Sequence, residues 1–265
     1  MPRTLLGVAG APVSHSRSPA MHNAALTEMG LDWLYVPLPL PSERFTEVVR
    51  ALPASGFRGI NVTVPHKLAA HELADERTEA AAAIGAANTL TFADGLIAAD
   101  NTDAGGFLDA LAASPRGLRA LILGAGGSAR AVAYALREAG AAEVSVWNRT
   151  PDRAAALACE LGVRHVDHPE RVDLLVNCTS VGLDPATTER EALEALALGD
   201  HTVPDTVVDL VYGSGPTPLT RWGQARGARV VDGVEVLVRQ GARSLEAWTG
   251  RSVPAATMRQ AVKDL

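Results

Sequence analysis

Short apolar runs typical of β-strands alternate along this chain with longer amphipathic stretches typical of helices. Up to residue 100 the pattern predicts strands at 4–9, 33–38, 57–64, 87–92 and 96–99. Between them it predicts helices at about 19–29, 42–51 and 67–84. The alternation resumes at LRALILGAGGSARAVAYALREAG and continues through EVSVWNRT, VDLLVNCTS, TVVDLVY and ARVVDG, and two helical patterns follow at 233–247 and 254–264. Repetition of this kind predicts an α/β fold with mostly parallel sheets.

The strand–helix units fall into two groups, and we therefore predict two domains. The second group opens with a glycine-rich turn between a strand and a helix, which is typical of a complete Rossmann-type domain, here residues 103–232. The first group predicts an N-terminal α/β open-sheet domain over 1–102. We expect the final helices, within 233–265, to return to this first domain and complete it.

Composition narrows the class of protein. The chain has 265 residues, is 47% hydrophobic and carries a net charge of −6, so it offers no basic face for nucleic acid. It contains no run of about 18 apolar residues, and its apolar start is short and broken by glycine and proline. Cys159 and Cys178 supply neither a disulfide framework nor metal-ligand spacing. These features predict a soluble, cytoplasmic protein without a membrane span or a metal.

The segment LILGAGGSAR predicts a nucleotide site. Gly124, Gly126 and Gly127 follow an apolar strand and stand at the start of a helix, where backbone N–H groups can approach a pyrophosphate. Ala129 occupies the third fingerprint position, where Gly or Ala is accepted. The segment's candidate cofactor-binding residues are Gly124, Ala125, Gly126, Gly127 and Ser128. The alternative is a glycine turn used only for packing.

The end of the next strand favours NADP over NAD. NAD sites usually carry an acidic residue there, but EVSVW runs into NRTPDR without one. Arg149 and Arg153 can meet a 2′-phosphate, and Thr150 before Pro151 is typical of a helix N-cap. A surface arginine pair without a cofactor role is the alternative.

Two common dehydrogenase chemistries do not fit. A Tyr-x-x-x-Lys dyad is absent, because the three tyrosines are followed four positions later by Pro39, Glu138 and Pro216. A zinc-dependent alcohol dehydrogenase needs a set of Cys and His ligands that two scattered cysteines do not provide. His165 and His168 fit a solvated loop better than a metal site. The acid or base must come from elsewhere.

One lysine stands out in NVTVPHK, residues 61–67. Only Lys67 and Lys263 are lysines among the 24 basic residues. Lys67 is predicted in the first turn of a helix, where the backbone dipole disfavours a cation. Lysine, unlike arginine, can exchange its proton when its surroundings allow it. A solvated lysine with no special role is the alternative.

Several motifs together resemble the shikimate dehydrogenase family. They follow one another in the family's order over essentially the whole chain: SHSRSPAMHN (14–23), NVTVPHK (61–67), AANTL (86–90), NTDAGG (101–106), GAGGSAR (124–130), NRT (148–150) and DGVEVLVRQGARSLEAWTG (232–250). The resemblance implies NADPH-dependent reduction of 3-dehydroshikimate to shikimate, a step of aromatic amino-acid biosynthesis. It also implies an N-terminal substrate domain, rejoined by the C-terminal helices, that faces the Rossmann domain across a cleft.

The resemblance implies roles for residues in these motifs. Ser16 and Ser18 match a pair that binds the substrate carboxylate, and their alternation lets both hydroxyls face one side. Taken alone, serines before Pro19 are typical of a loop and a helix cap. The ring hydroxyls of the substrate require groups that donate and accept, and the matching positions are Asn61, Thr63, Asn88 and Gln240.

Further matches concern the Rossmann half. Tyr212 matches a position that lines the substrate, and Leu210 and Gly233 match positions beside the nicotinamide. The NRT motif adds Asn148 to the cofactor-binding residues.

Lys67 and Asp103 match the family's catalytic pair. Hydride delivery to the C3 carbonyl builds charge on its oxygen, which a nearby group must protonate. We expect the helix N-terminus and partial burial to favour the neutral amine, and Asp103 to favour the ammonium, so that Lys67 can give and take a proton. Asp103 can also serve as the N-cap of a helix beginning near Gly105.

Three positions depart from the family pattern and leave alternatives open. Ser214 stands where many relatives have proline, Val236 replaces a frequent methionine, and Glu235 adds a charge. A quinate or aminoshikimate dehydrogenase would use the same residues, and an inactive NADP-sensing module would keep the same fold. Monomer and homodimer are both compatible with the sequence.

Overall fold

The chain forms two units, each built around one six-stranded sheet. The computed structural model describes residues 3–199, 201–213 and 215–263. One unit takes in the chain up to Gly106 and from Val238 onward, and the other is Phe107–Leu237. The strands of the first unit are β1 (Thr4–Gly10), β2 (Trp33–Pro39), β3 (Phe57–Val62), β4 (Glu76–Arg77), β5 (Thr89–Ala93) and β6 (Leu96–Asp100). Those of the second are β7 (Arg119–Leu123), β8 (Glu143–Trp147), β9 (Arg164–His165), β10 (Leu174–Asn177), β11 (Thr206–Asp209) and β12 (Arg229–Val231).

The α-helices follow the predicted alternation closely. In chain order they are α1 (Ser18–Glu28), α2 (Phe45–Ala51), α3 (Lys67–Leu73), α4 (Glu79–Ile84), α5 (Thr102–Leu111), α6 (Gly127–Glu138), α7 (Pro151–Leu161), α8 (Glu189–Ala195), α9 (Pro218–Ala225), α10 (Gly233–Thr249) and α11 (Ala255–Lys263). Short 3₁₀ turns, Ser42–Arg44 and Leu52–Ser55, flank α2. Among the described residues, no helix is both long and apolar enough to cross a membrane.

The first sheet is mixed, with strand order β2-β1-β3-β5-β6-β4. Strand β1 runs parallel to β2 and β3, whereas β5 runs antiparallel to β3 and β6. The hairpin between β5 and β6 turns at Asp94 and Gly95, which have φ of 52° and 79°. An Asp-Gly pair with two positive φ angles is typical of a type I′ hairpin turn. The parallel pairing expected from the alternation is therefore interrupted in the middle of this sheet.

The second sheet is parallel throughout, with strand order β12-β11-β10-β7-β8-β9. Its order changes direction at β7, so that β8 and β10 lie on either side of that strand. This arrangement confirms the predicted Rossmann-type topology, in which ligands bind beyond the carboxyl ends of the strands.

The helix predicted over 67–84 is wrong as a single element. The chain leaves the helix at Ala74, which is extended (φ −69°, ψ 141°). Asp75 then bonds Ile97 twice: its N–H donates to the Ile97 carbonyl at 2.8 Å, and its carboxylate accepts from the Ile97 N–H at 2.9 Å. These bonds draw β4 into the sheet beside β6, and a new helix, α4, begins two residues after it.

The last two helices pack on the first unit, as predicted. Trp248 on α10 donates from Nε1 to the Leu90 carbonyl of β5 at 3.1 Å, and α11 packs against α1. Leu245 on α10 and Met258 on α11 are fully buried. Each fully buried side chain of this size stabilises the fold by about 1.5–3 kcal/mol, so the C-terminal helices are an integral part of this unit's core.

Candidate active site

Lys67 is the first residue of α3, as the sequence predicts. Strand β3 ends at Val62, earlier than predicted, and Val64 beyond it is 71% exposed. Lys67 itself points inward: its side chain is only 12% exposed, and its Nζ lies 2.5 Å from Asp103 Oδ2. A lysine ammonium placed at a helix N-terminus is disfavoured by the helix dipole, and the carboxylate offsets that effect.

Asp103 lies in the first turn of α5, where an acidic side chain is favourable. The expectation that Asp103 caps a helix beginning near Gly105 is wrong, because α5 begins at Thr102. Asn101 provides the side-chain bond instead, its Oδ1 accepting from the Asp103 N–H at 3.2 Å. The Asp103 carboxylate is therefore left for the Lys67 ammonium.

Asn88 and Gln240 complete this group of predicted residues. Asn88 Nδ2 donates to Asp103 Oδ1 at 2.8 Å and to Gln240 Oε1 at 3.2 Å. Gln240 can reach Asn88 because α10 packs directly on Gly106 of α5. A Cβ atom built on Gly106 would lie only 2.5 Å from the backbone nitrogen of Gln240. The structure thus brings together Lys67, Asn88, Asp103 and Gln240 within one unit.

Asn61 lies near the end of β3 and is buried. Its Oδ1 accepts from the Tyr35 hydroxyl at 2.8 Å, and its Nδ2 donates to Ser244 Oγ at 2.8 Å. Thr63 follows the strand and is half-buried, with its N–H donating to the Ala9 carbonyl at 2.9 Å. Both residues therefore occupy fixed positions a few residues before Lys67.

The serine pair forms its own group at the start of α1. Ser16 lies in the loop before α1, and Ser18 is the first helical residue. Ser16 Oγ accepts from the Ser18 N–H at 3.2 Å, which satisfies one of the free amides of that helix end. Ser16 is half-buried, and Ser18 is buried.

His22, next to Ser18, and Tyr35, which stacks on His22, are not among the predicted site residues. His22 donates from Nδ1 to the Ser18 carbonyl at 2.8 Å, and its ring stacks on Tyr35 with centroids 4.0 Å apart. Burial lowers the pKa of His22 to about 4, against the opposing effect of its backbone hydrogen bonds. The ring is therefore neutral near pH 7. The sequence signal for His22 is its position one turn after Ser18 on the buried face of α1.

In the second unit, the glycine-rich turn between β7 and α6 fits a phosphate group. Gly124 has φ of +109°, which strongly favours glycine, and Gly126 is the N-cap residue of α6. No side chain caps this helix start, and a Cβ built on Gly126 would meet nothing within 4 Å. A helix start without a side-chain cap, beside open space, suits a bound pyrophosphate. Ala129 is fully buried, which allows the helix to pack closely on the sheet.

The predicted 2′-phosphate residues lie at the start of α7, after β8. Arg149 and Arg153 are both exposed. Thr150 is the N-cap residue, as predicted, but its side chain makes no capping hydrogen bond. Instead, Asn148 Nδ2 donates to the Thr150 carbonyl at 2.9 Å and shapes the turn. The amides at this helix start and both guanidinium groups therefore suit a phosphate.

The residues after β11 are held by a buried acid, Asp209, which is not among the predicted site residues. Asp209 Oδ1 accepts from the Val211 N–H at 3.0 Å and from Asn177 Nδ2 at 2.9 Å. Its Oδ2 accepts from the Thr217 hydroxyl at 2.5 Å. Burial raises the pKa of Asp209 to about 6, although these three hydrogen bonds act in the opposite direction. The sequence signal is an acidic residue that ends an apolar parallel strand, TVVD.

This turn brings two predicted residues together. Gly233, the first residue of α10, lies against Leu210, because a Cβ on Gly233 would be 2.6 Å from the Leu210 carbonyl oxygen. Tyr212 follows the turn and is half-buried. Of the three departures from the family pattern, Val236 is buried and Glu235 lies in the first turn of α10, while Ser214 lies outside the described residues.

Comparison with known proteins gives matches over nearly the whole chain. Family models match the shikimate dehydrogenase substrate binding domain at residues 8–90, shikimate/quinate 5-dehydrogenase at 110–197, and the shikimate 5′-dehydrogenase C-terminal domain at 233–263. The shikimate dehydrogenase (NADP⁺) of Methanopyrus kandleri is 44% identical, with 97% of this chain and 94% of that protein covered. The corresponding protein of Methanothermobacter thermautotrophicus is 41% identical, with 97% and 95% covered.

A solved structure agrees with these matches. The shikimate 5-dehydrogenase of Thermus thermophilus, in complex with NADP(H) and shikimate, superposes with a TM-score of 0.86. It is 41% identical, and the superposition covers 98% of this chain and 99% of that one.

Proposed function

We propose that this chain, which belongs to the shikimate dehydrogenase family, catalyses the reversible NADPH-dependent reduction of 3-dehydroshikimate to shikimate. This is a step of aromatic amino-acid biosynthesis, and the chain is an NADP-dependent oxidoreductase acting on a CH–OH group. The observation that carries the proposal is the 2.5 Å contact between Lys67 Nζ and Asp103 Oδ2, with Asn88 and Gln240 beside it.

Lys67 and Asp103 act as the acid–base pair. When bound, NADPH supplies the hydride that reduces the C3 carbonyl of the substrate. The Lys67 ammonium donates a proton from Nζ to the carbonyl oxygen as charge develops there, and the amine takes the proton back in the reverse direction. Asp103 holds the ammonium through Oδ2, while its Oδ1 is held by Asn88. An ammonium held in this way loses little freedom when it reaches the transition state.

The substrate is bound by the polar residues around this pair. Gln240, Asn88 and Asn61 offer amide groups to the ring hydroxyls, and Thr63 offers a hydroxyl. Ser16 and Ser18 bind the carboxylate, which also gains from the amides at the start of α1. Tyr212 is the further residue that we assign to substrate binding.

NADPH is bound by the second unit. Gly124, Ala125, Gly126, Gly127 and Ser128, at the start of α6, would hold the pyrophosphate. The 2′-phosphate is bound by Asn148, Arg149, Thr150 and Arg153 at the start of α7. Leu210 and Gly233 would lie beside the nicotinamide. Two observations support this assignment of the NADPH site. No side chain caps the start of α6 or of α7, and the guanidinium groups of Arg149 and Arg153 are exposed.

We assign the substrate domain to 1–102 with 233–265 and the NADP domain to 103–232. The two compact units divide a few residues later along the chain, at Gly106 and Val238. We place the enzyme in the cytoplasm, as a monomer or homodimer.

An absorbance assay of NADPH formation tests the proposal. Purified protein is incubated with shikimate, quinate or aminoshikimate, each with NADP or NAD. We expect the highest kcat/KM with shikimate and NADP. Higher kcat/KM with quinate or aminoshikimate would reassign the substrate, and no turnover on any of the three would identify an NADP-sensing module instead.

A further inference from the structure

Ser244 is a fully buried hydroxyl on α10 that contacts polar side chains from three other elements. Its Oγ accepts from Asn61 Nδ2 of β3 at 2.8 Å. It lies 2.9 Å from Thr89 Oγ1 of β5 and 3.0 Å from Thr102 Oγ1 of α5. It also lies 3.1 Å from the carbonyl oxygen of Gln240, one turn earlier on the same helix. A single hydroxyl therefore joins α10 to the elements that carry the substrate residues.

The two threonines fix the orientation of Asn88. Thr89 Oγ1 and Thr102 Oγ1 donate to Asn88 Oδ1 at 3.0 and 3.1 Å, and the Thr102 N–H donates to it at 2.8 Å. Because three donors surround the amide oxygen, the amide nitrogen must face the other way, toward Asp103 and Gln240. The donor that holds the Asp103 carboxylate thus depends on two hydroxyls that both contact Ser244.

Tyr35 fixes the orientation of Asn61 in the same manner. The Tyr35 hydroxyl donates to Asn61 Oδ1 at 2.8 Å, so the Asn61 nitrogen must face Ser244. Asn61 Nδ2 has two other acceptors at longer distances, the Asn88 carbonyl at 3.1 Å and Thr89 Oγ1 at 3.2 Å. Ser244 Oγ is the nearest of the three, so its loss would let the amide move.

We propose that Ser244 is a positioning residue for the reaction. It holds the Asn61 and Asn88 amides in the orientation in which they bind the substrate and support the Lys67–Asp103 pair. The inference rests on the proposed function, because it concerns the residues that would bind shikimate. Ser244 acts only through its neighbours: a buried amide that loses its best acceptor gains by shifting toward another one.

The first test is Ser244→Ala, which removes the hydroxyl and leaves the rest of the helix unchanged. We expect kcat/KM for shikimate to fall about tenfold, the usual effect of one lost buried hydrogen bond. The dissociation constant for NADPH should stay within about twofold of wild type, because the residues proposed to bind NADPH lie in the other unit. Thr249→Val is the matched control: it removes a hydroxyl on the same helix that also bonds a carbonyl one turn earlier, at Leu245. It should leave kcat/KM unchanged.

A double-mutant cycle separates positioning from a general structural effect. In an Asn61→Ala background, Ser244→Ala should lower kcat/KM clearly less than in the wild-type background, since one of the two amides that Ser244 positions is gone. The same tenfold loss in both backgrounds, or no loss in the wild-type background, would overturn the inference. If Ser244→Ala fails to fold, Thr102→Val is measured in the wild-type and Asn88→Ala backgrounds, with the same two outcomes. A wild-type protein inactive on shikimate would instead refute the proposed function itself.

Discussion

At the scale of single residues, Lys67 combines an unfavourable position with a specific partner. It begins α3, where the helix dipole disfavours a cation, and it lies against Asp103 with most of its side chain buried. The chain uses lysine at only one other position, Lys263, although it has 24 basic residues. A fixed positive charge would be met equally well by arginine, so the choice of lysine indicates proton exchange.

Replacing Lys67 by arginine tests this interpretation. Lys67→Arg keeps the charge, but a guanidinium cannot exchange a proton near neutral pH. We expect kcat to fall by about 10²–10⁴-fold, as with Lys67→Ala, while NADPH binding stays near wild type. Steady-state kinetics and thermal melting provide the measurements, and Lys263→Arg is the matched control. A Lys67→Arg enzyme that keeps more than about a third of the wild-type kcat would show that Lys67 acts as a charge only.

Arg149 carries the second residue-scale prediction. Its exposed guanidinium at the start of α7 should pair with the 2′-phosphate of NADP, which NAD lacks. Arg149→Ala should raise KM for NADP about 10–150-fold, matching the loss of one charge-assisted contact of about 1.5–3 kcal/mol. KM for NAD should barely change. Arg190→Ala removes another exposed arginine of the same unit and should affect neither cofactor. Equal losses for NADP and NAD in Arg149→Ala would assign Arg149 a structural role.

At the scale of elements, the sequence predicts strands and helices well and their side-chain partners poorly. The apolar patterns locate the strands because each is determined by neighbouring residues. The break at Ala74 escapes prediction because it depends on Ile97, which lies on another strand. The hydrogen bond between Asn61 and Ser244 joins residues 183 positions apart, and no local pattern reports it. Motif resemblance identifies Asn88 and Asp103, but it does not reveal that Thr89 and Thr102 orient Asn88.

The contact between α5 and α10 leads to the element-scale prediction. Gly106 lets the helices approach so closely that a Cβ atom would lie 2.5 Å from the Gln240 backbone nitrogen. Gly106→Ala should therefore push α10 away, lowering the free energy of unfolding by about 1–3 kcal/mol and moving Gln240 from Asn88. Chemical denaturation and kcat/KM for shikimate measure the two effects. Gly199→Ala, where a Cβ meets nothing within 4 Å, is the control. Wild-type values for Gly106→Ala would contradict the close approach.

At the scale of the whole molecule, two buried groups, one in each unit, should respond to acid in opposite directions. The first unit holds His22, whose pKa falls from 6.5 to about 4 on folding. Its contribution to stability is complete above pH 6.5 and is lost as the pH falls toward 4. The other unit holds Asp209, whose pKa rises from 3.8 to about 6 on folding. Its contribution is greatest below pH 4 and declines as the pH rises to 6.

Denaturant unfolding between pH 4 and pH 7 measures both effects. Asp209→Asn removes a contribution that, in the wild type, lowers stability by about 3 kcal/mol between pH 4 and 6. Relative to wild type, this variant should therefore gain stability as the pH rises. His22→Gln should show the opposite trend, since it removes a group that destabilises the fold as the pH falls. If the free energy of unfolding of either variant changes with pH in parallel with that of the wild type, the replaced residue does not titrate in this range.

The position of α10 in the chain has a consequence for how the protein is made. Gln240 and Ser244 bond partners that are synthesised 152 and 183 residues earlier. At about 5–20 residues per second, a ribosome needs roughly 10–40 s to go from Asn61 to Ser244. During that time β3 and β5 lack the helix that covers them, whereas the second unit, Phe107–Leu237, consists of one continuous segment and is complete before Ser244 is made. The nascent chain therefore completes its middle portion first, and its earliest segment must wait for its last one before shikimate can bind.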